Sequence, residues 1–421
     1  MATKFQELQV LYDTGVNVEL VGTLALNGLK VLFEYEPSWQ KKGLELAPFQ
    51  MPGQRGSFSF DLARLPGNLP GLCADSLPDG WGLLIMDRFF VRKGVERHEV
   101  TPLDRLAYLG DHAMGALTYR PADGNDSTVE AIQIGTMARE AYELFAGDID
   151  QVSPLLSKIG GSPGGARPKA LIGISELGRE FVSGSSDVPE GYSHWLMKFS
   201  SPVYGKLSEL GPYEGIVESI YLQMAEKAGI SVQHHKLILA DDLLHLAVKR
   251  FDRPARDRRL HMATACGLHH ADCRQPSLDY KDLIKTAWAL TRDARQVEEQ
   301  YRRAIFNLFA INRDDHSKNH SYLLGEDKVW RLSPAYDLTY SAGPGGEHWT
   351  SYLGVGKRPS RAVLLKLAEV GSISARDATA IIDQVQHAVG GFSALCKEHG
   401  VPQKMVKGIL AEQEETRKAA M

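Results

Sequence analysis

Short runs in which apolar and polar residues alternate follow one another through roughly the first sixty residues, and this pattern predicts β-strands. The runs are rich in β-branched and aromatic residues, and turn residues separate them at Gly15 and at Asn27-Gly28. The predicted strands are 10–12, 16–24 and 29–35. A Pro- and Gly-rich segment at 65–71 ends the pattern, and helices are predicted at 80–90 and 102–108.

A polar, turn-rich segment at 121–127 separates this first part from the rest of the chain. Apolar runs then predict strands at 169–174, 194–199 and 243–248, and helical periodicity predicts helices at 130–145 and 214–228. From Leu278 onward helices dominate. The predicted fold is therefore α+β, with a β-rich domain (1–125), a mixed β lobe (126–250) and a mostly helical lobe (251–421).

Composition places the chain among ordinary globular proteins, since 43% of its 421 residues are hydrophobic and 24% are charged. A net charge of -4 gives no electrostatic reason to expect strong binding of nucleic acid by this chain alone. Four scattered cysteines are too few for a disulfide framework. The N-terminus lacks the apolar segment of a signal peptide, and no apolar run is long enough for a membrane span, so we expect a cytoplasmic protein.

The segment 312–319, together with Asp337 further along the chain, carries the clearest candidate chemistry. Asp314 is followed five positions later by Asn319, and Asp337 comes after a short apolar stretch. Kinases use this order of side chains to orient the attacking hydroxyl group and to hold Mg²⁺ on ATP. Asp314 is the predicted catalytic residue, and Asn319 and Asp337 are the predicted metal ligands. Asp315 is a competing base on chemistry alone, but the spacing to Asn319 favours Asp314.

Candidates for the phosphate-binding parts precede this loop. A glycine-rich turn at 160–165 can bring backbone amides close to a phosphate, although a flexible hairpin explains it equally simply. Lys198 lies in an apolar strand, where it either faces solvent or reaches the phosphates with Glu218 as its partner. His316 is predicted to hydrogen-bond within the cofactor site rather than to act as the base. Lys318 either contacts phosphate or substrate or is solvated.

Two thiols and two imidazoles occur together at Cys266, His269, His270 and Cys273. Structural zinc sites draw their ligand pairs from two separated places, and one compact run makes a poor tetrahedral cage. We therefore interpret these four as ordinary helix and loop residues.

Taken together, these motifs resemble the HipA family, the serine/threonine kinase toxins of bacterial toxin–antitoxin systems. Segments 21–24, 33–39 and 76–81 resemble the family's N-terminal subdomain, and 312–319 and 334–337 match two of its kinase motifs. Ser162 to Lys169 resembles the family's glycine-rich loop, although Arg167 replaces a frequent glutamine. Residues 248–253 resemble the hinge that lines the adenine site, although Lys249 replaces a glutamate found in some relatives.

The resemblance implies a two-lobed core like that of protein kinases and phosphatidylinositol kinases, with ATP and Mg²⁺ as cofactors. It assigns nucleotide binding to a set of residues from the loop, both lobes and the hinge. That set is Gly164, Gly165, Lys169, Lys198, Glu218, Phe251 and His316. It also implies that Ser162 is autophosphorylated and that this modification switches the kinase off.

Family members phosphorylate aminoacyl-tRNA synthetases and are held by small helix-turn-helix antitoxins that bind operator DNA. A protein substrate of that kind and such an antitoxin are therefore the expected partners, with DNA reached through the antitoxin and no membrane. Two alternatives remain open at this stage. One is a small-molecule phosphotransferase of related fold, and the other is a non-catalytic nucleotide-binding protein that stabilises an antitoxin–DNA complex.

Overall fold

A five-stranded antiparallel sheet forms the first part of the protein in a computed structural model that describes residues 5–122, 128–161, 164–185, 187–203 and 210–420. Its strands are β1 (Glu7–Asp13), β2 (Val18–Asn27), β3 (Lys30–Tyr35), β4 (Ser57–Asp61) and β5 (Leu117–Arg120), in the order β4-β3-β2-β1-β5. On β1 the side chains of Leu8 and Val10 are fully buried and alternate with exposed ones. This alternation explains why the sequence pattern predicted strands here.

Four helices accompany this sheet. They are α1 (Pro37–Lys42), α2 (Gly71–Ala74), α3 (Gly80–Arg92) and α4 (Pro102–Leu109). Thr101 and Asp104 form a capping box that begins α4, because each side chain accepts a hydrogen bond from the other residue's backbone amide. Helix α3 buries Trp81 and Ile85 in the hydrophobic core of the following lobe, so the N-terminal domain and that lobe share packing.

A second antiparallel sheet builds the next lobe. Its strands are β6 (Lys169–Ser175), β7 (Phe181–Ser183), β8 (Tyr192–Lys198), β9 (His235–Ala240) and β10 (Leu243–Lys249), in the order β7-β6-β8-β10-β9. Helices α5 (Ile134–Ala146), α6 (Pro154–Gly160) and α7 (Glu214–Lys227) belong to this part of the chain. Helix α7 packs against β10 on one side and against the helical lobe on the other.

The predicted helix at 130–145 begins four residues later than expected. Residues 130–132 instead extend the sheet at β7, where the Ile132 amide donates to the Phe181 carbonyl at 2.8 Å and the Ser183 amide donates to Glu130 at 2.8 Å. Ile132 is buried by this pairing. Its apolar side chain is therefore buried from an extended segment and not from the face of a helix.

The last lobe contains seven helices in the part of the chain that the structure describes. They are α8 (Ala265–His269), α9 (Tyr280–Thr291), α10 (Ala294–Ala310), α11 (Arg361–Val370), α12 (Ala375–Val389), α13 (Phe392–Glu398) and α14 (Gln403–Ala419). A small antiparallel sheet of β11 (His261–Thr264), β12 (Ser321–Leu324) and β13 (Trp330–Leu332) lies among them. Sequence reasoning missed this sheet because three or four residues are too few to show a period.

One hydrophobic core runs without interruption from the N-terminal sheet into the helical lobe. A buried polar network reinforces the junction, where Asp252 accepts hydrogen bonds from the Gly115 amide at 2.8 Å and from Arg250 at 2.7 Å. Arg253 donates to Asp252 and to the Gly115 carbonyl oxygen, both at 2.8 Å. Because these charges are paired and hydrogen-bonded, their burial is tolerated and the two parts are held in one orientation.

The observed architecture is a two-lobed α+β fold with an N-terminal β-rich domain, as the sequence predicted. Among the described residues, no helix combines the length and the apolar composition that crossing a bilayer requires.

Candidate active site

A cleft between the two lobes gathers most of the residues predicted from sequence. It consists of an outer cavity of about 400 Å³ and an inner cavity of about 140 Å³. Both cavities are lined by the same central groups, which are Asp79, Gly165, Lys169, Lys198, Glu218, His316 and Asp337. The cleft is therefore one continuous site with an outer and an inner part.

Lys198 is the centre of an ion-pair cluster in this cleft. It is the last residue of β8, and its Nζ lies 2.5 Å from Oε1 of Glu218 in the second turn of α7. The same ammonium group also donates to Oδ1 of Asp337. Only 15% of the Lys198 side chain is exposed, so the interpretation that it faces solvent is wrong.

The charges of Lys198 and Asp337 stabilise each other within this cluster. Burial would lower the pKa of Lys198, but Asp337 and then Glu218 outweigh it and raise that pKa. Burial likewise opposes ionisation of Asp337, yet the ammonium groups of Lys198 and Lys169 hold the pKa of this carboxyl well below its usual range. Burial raises the pKa of Glu218. Lys198 and Asp337 are thus the charged pair that the cleft presents.

The end of the glycine-rich loop lies directly beside these charges. Lys169 begins β6 opposite Lys198, and its Nζ donates to the Gly164 carbonyl oxygen at 2.7 Å. Gly165 has a φ of +94°, and a Cβ at that position would collide with the Lys169 ammonium group. The conformation therefore favours glycine at 165, and a larger residue there would displace the Lys169 ammonium group. Ser162, the predicted autophosphorylation site, lies outside the described residues.

The N-terminal domain holds this loop through Asp79, a residue that sequence reasoning did not propose for the site. The Gly165 amide donates to Asp79 Oδ1, and the Trp81 amide donates to the Gly165 carbonyl oxygen at 3.0 Å. Trp81 Nε1 also donates to the Lys169 carbonyl oxygen at 2.8 Å. The segment 76–81 was noticed as part of a family motif. The contact between Asp79 and Gly165, however, joins residues that are 86 positions apart, so no local sequence pattern indicates it.

The inner cavity has an apolar wall between the lobes. It is lined by Leu196, Leu222, Val248, Phe251, Met262 and Tyr336. The rings of Phe251 and Tyr336 lie 5.5 Å apart, and the Tyr336 hydroxyl donates to the Lys318 carbonyl oxygen at 2.6 Å. A flat aromatic base fits such a slot, because its faces are apolar and its edge is polar.

Two backbone amides of the hinge beside this slot already donate hydrogen bonds within the protein. The amide of Lys249 donates to the His234 carbonyl oxygen, and that of Arg250 donates to the His194 carbonyl oxygen, both at 2.9 Å. These two amides are therefore not available to a bound base. The side chain of Lys249 itself lines the cavity.

Asp314 and Asp315, the two candidate bases, have opposite surroundings. Asp315 is fully buried and accepts hydrogen bonds from the Tyr280 hydroxyl at 2.6 Å and from His348 Nδ1 at 2.9 Å. Asp314 lines the outer cavity, and 54% of its side chain is exposed. Asp315 is a structural anchor of the loop, and Asp314 is the carboxylate that an incoming hydroxyl could reach.

Asn319 and Asp337 offer oxygen atoms that fit a hard cation. Both line the inner cavity. Asn319 Nδ2 donates to the Asp314 carbonyl oxygen at 2.7 Å, so its Oδ1 is the oxygen that could bind a cation. Lys198 contacts Oδ1 of the ionised Asp337, so Oδ2 is the corresponding oxygen there. Carboxylate and amide oxygens next to a phosphate site suit Mg²⁺, which keeps several waters and shares its shell with phosphates.

His316 and Lys318 extend the loop in different directions. His316 lines both cavities, and its Nε2 lies 3.9 Å from Asp314 Oδ1. Lys318 Nζ donates to the Leu77 carbonyl oxygen at 3.2 Å and lies 3.7 Å from Asp79 Oδ2. The expectation of a solvated lysine is wrong, since 19% of the Lys318 side chain is exposed and its ammonium group faces the N-terminal domain.

The cluster of thiols and imidazoles does not come together as a set of four. His269 Nε2 lies 2.7 Å from the Thr286 hydroxyl, and the His270 ring packs against Phe60 with centroids 5.3 Å apart. Cys266 and Cys273 do lie side by side. Within the described residues, no group of three or more His, Cys, Asp or Glu side chains is arranged to hold a metal ion.

These features define a protein with a two-lobed, kinase-like α+β core and an appended N-terminal domain. Residues 161–391 match the model of the HipA-like C-terminal domain, and residues 12–120 match that of the HipA N-terminal domain. Because the first match alone spans more than half of the chain, the protein belongs to the HipA family.

Comparison with solved structures agrees with this fold. The protein is similar to HipA of Shewanella oneidensis MR-1, solved in a toxin–antitoxin complex with HipB and operator DNA. The TM-score is 0.67 and the identity 17%, over 97% of each chain. A weaker similarity, with a TM-score of 0.37 and 10% identity, links 54% of this chain to 88% of CtkA, a proinflammatory kinase of Helicobacter pylori. No curated protein sequence matches the chain.

Proposed function

We propose that this protein is a Mg²⁺- and ATP-dependent serine/threonine protein kinase of the HipA toxin type. The observation that carries the proposal is the convergence of Lys198, Glu218, Asp337 and Asp314 on one cleft beneath the Asp79-held loop. Phosphoryl transfer needs positioning and charge neutralisation more than covalent help. The described residues supply groups for each of these tasks.

Each group has a defined task in this proposal. Lys198 is held by Glu218 and faces the α- and β-phosphates, while Lys169 and the backbone at Gly165 lie beside the outer phosphates. Asp314 orients the acceptor hydroxyl and receives its proton. Asn319 and Asp337 would hold Mg²⁺, which supplies neutralisation of the phosphate charge when it is bound. The apolar slot beside Phe251 takes the adenine.

The proposed acceptor is a protein, an aminoacyl-tRNA synthetase being the expected class, and autophosphorylation at Ser162 would switch the kinase off. A small helix-turn-helix antitoxin is the proposed partner, with operator DNA reached through it in the cytoplasm. The structure of the Shewanella HipA with HipB and operator DNA supports a partner of this kind. Membership in the HipA family supports the acceptor class.

A labelling experiment tests the kinase assignment. Purified protein is incubated with γ-labelled ATP and Mg²⁺, with and without a bacterial lysate, and label is followed on the protein itself and on lysate proteins. Asp314→Ala and Asp337→Ala are each expected to lower the rate by roughly 100-fold or more, because a proton acceptor or a metal ligand is lost. Asp148→Ala, an exposed carboxylate on another surface, is the matched control.

The outcomes separate the remaining functions. Equal labelling by wild type and Asp314→Ala would contradict the assignment. Rapid turnover of a metabolite panel without protein labelling would identify a small-molecule phosphotransferase. Nucleotide binding, measured by calorimetry, with no transfer to any acceptor would identify a non-catalytic nucleotide-binding protein.

A further inference from the structure

Two cysteines of the helical lobe bring their thiols together beside the catalytic loop. Cys266 lies in α8, and His270 follows this helix with a positive φ of 51°. This left-handed residue reverses the chain, and the Ala271 amide donates back to the Cys266 carbonyl oxygen at 2.9 Å. The reversal brings Cys273 back beside Cys266, and the two residues line one cavity together.

The two thiols differ in access. Cys273 is half-buried and lines both the outer cavity of the cleft and a neighbouring cavity of about 250 Å³. Cys266 is 6% exposed and lines the neighbouring cavity. Solvent and small reagents therefore reach Cys273 first, with Cys266 directly behind it.

The charges around Cys273 favour its thiolate. The neighbouring Cys266 thiol lowers the pKa of Cys273, burial opposes this, and Lys318 and His316 on the catalytic loop lower the pKa further. Asp79 acts in the opposite direction, and Arg274 is the adjacent cation. The Cys266 thiol donates to the Ala271 carbonyl oxygen at 2.9 Å, and the neighbouring Cys273 and burial raise its pKa. One thiol is thus an accessible nucleophile and the other a protonated neighbour.

We propose that Cys273 is a peroxide-reactive modification site and that Cys266 resolves the oxidised Cys273 into an intramolecular disulfide. The proposal rests on the paired thiols, their unequal access and the cavity at Cys273. It concerns thiol chemistry and stands independently of phosphoryl transfer.

The reaction balances with hydrogen peroxide as the oxidant. The Cys273 thiolate attacks one peroxide oxygen, the O–O bond breaks, and the leaving hydroxide takes a proton to become water. Cys273 is now a sulfenic acid. The Cys266 sulfur attacks the Cys273 sulfur, the S–O bond breaks, and the leaving hydroxide takes the Cys266 proton as a second water. Two thiols lose two electrons in all, and one peroxide molecule gains them.

The disulfide would also affect the cleft, a consequence that does rest on the proposed kinase function. Cys273 and Arg274 form part of the wall of the outer cavity, which Asp314 also lines. Helix α8 also packs against the 3₁₀ turn at Ser317–Asn319 in the catalytic loop. Closing the disulfide moves this wall and removes the thiolate beside Lys318, so phosphoryl transfer is expected to fall and to recover on reduction.

Thiol counting and peptide mapping test the proposal without any kinase assay. Wild-type protein is treated with a small excess of hydrogen peroxide, denatured, and titrated for free thiols. The count is expected to fall from four to two and to return to four with dithiothreitol. Mass spectrometry of the digest is expected to show the peptides of Cys266 and Cys273 joined. Cys73 and Cys396 are buried and serve as internal controls.

Single variants and pH separate the two roles. Cys266→Ser is expected to leave Cys273 as a sulfenic acid that dimedone labels, and Cys273→Ser to abolish the peroxide-dependent loss of thiols. The oxidation rate is expected to reach half its maximum at a pH below the ordinary cysteine value of about 8.5. A thiol count that stays at four, or joined peptides other than these two, would overturn the proposal, and the wild-type measurement decides this even if a variant fails to fold.

Discussion

At the scale of single residues, two neighbouring aspartates of the 312–319 loop have contrasting environments. Asp314 faces the outer cavity, and Asp315 is buried beneath it with Tyr280 and His348 as partners. The ionised Asp315 is stabilised although burial opposes it, because His348 and then Tyr280 hold the pKa of this carboxyl below its ordinary value. Adjacent residues of identical chemistry therefore differ in surroundings, since one faces the cleft and the other is hydrogen-bonded within the fold.

This division predicts opposite effects for two conservative variants. Asp315→Asn removes a charge from a buried, fully hydrogen-bonded pair and is expected to lower the free energy of unfolding by about 3 kcal/mol. Asp314→Asn is expected to change that free energy by less than about 0.5 kcal/mol and to lower phosphoryl transfer by roughly 100-fold. Urea unfolding and the labelling assay measure both quantities. A stable Asp315→Asn protein would contradict the structural role given to Asp315.

The choice of Asp314 over Asp315 rests on spacing in the sequence and stays a prediction. The spacing between Asp314 and Asn319 pointed to Asp314, and the different burial of the two aspartates agrees with that choice. Nothing in the local sequence revealed that Lys318 turns toward the N-terminal domain, because its partners at Leu77 and Asp79 are more than two hundred residues away. Spacing shows which side chains share a loop, and long-range packing decides where each one points.

At the scale of elements, strands and helices with a full period were predicted well. Strands β6, β8 and β10 and helix α7 appear within a residue or two of their expected bounds. The start of α5 and the whole sheet of β11, β12 and β13 were not predicted, because edge pairing and three-residue strands leave no periodic pattern. The contact of Asp79 with the glycine-rich loop was missed for a similar reason, since it joins two elements of different domains.

The Asp79 contact predicts a specific kinetic effect, which rests on the proposed kinase function. Asp79→Ala removes the acceptor of the Gly165 amide, so the loop is no longer held in place before ATP binds. A hydrogen bond to a charged group contributes about 1.5–3 kcal/mol, and KM for ATP is therefore expected to rise roughly tenfold or more. Steady-state kinetics measure the change.

A control variant in the helix that follows Asp79 separates an effect on loop position from general destabilisation. Asp87 of α3 pairs with Arg105 at 2.6 Å and does not line either cavity of the cleft. Asp87→Ala is expected to lower stability without raising KM for ATP. An equal KM for both variants would show that Asp79 does not position the loop.

At the scale of the whole molecule, the N-terminal domain and the helical lobe share one hydrophobic core. His261 of β11 is buried at their junction, with Nε2 3.1 Å from the Leu46 carbonyl oxygen and its ring 5.6 Å from that of Trp330. Burial lowers the pKa of His261 to about 4. The imidazole is therefore neutral in the folded protein over a range in which it would be protonated in the unfolded chain.

This lowered pKa predicts a loss of stability in acid. Between pH 6.5 and pH 4 the unfolded chain binds a proton at His261 that the folded protein does not bind, so the free energy of unfolding falls as the pH falls. The contribution is complete above pH 6.5, and its loss amounts to roughly 3 kcal/mol by pH 4. His261→Gln is expected to flatten this part of the stability profile, measured by urea unfolding at a series of pH values. A stability profile of His261→Gln with the same slope as the wild-type profile would contradict the lowered pKa of His261.

The junction at Asp252 and Arg253 has a consequence for how the two parts of the chain can change in evolution. On the N-terminal side the groups that it contacts are main-chain atoms, namely the Gly115 amide and the carbonyl oxygens of Gly115 and Ala113. Side chains near this loop can therefore drift without breaking the contact, provided that the backbone keeps its path. Gly115 is an exception, because its φ of +80° is strained for other residues and a Cβ there would lie 3.1 Å from the Met262 amide nitrogen. Selection at this boundary should thus preserve the side chains of Asp252 and Arg253 on one side and the backbone path around Gly115 on the other.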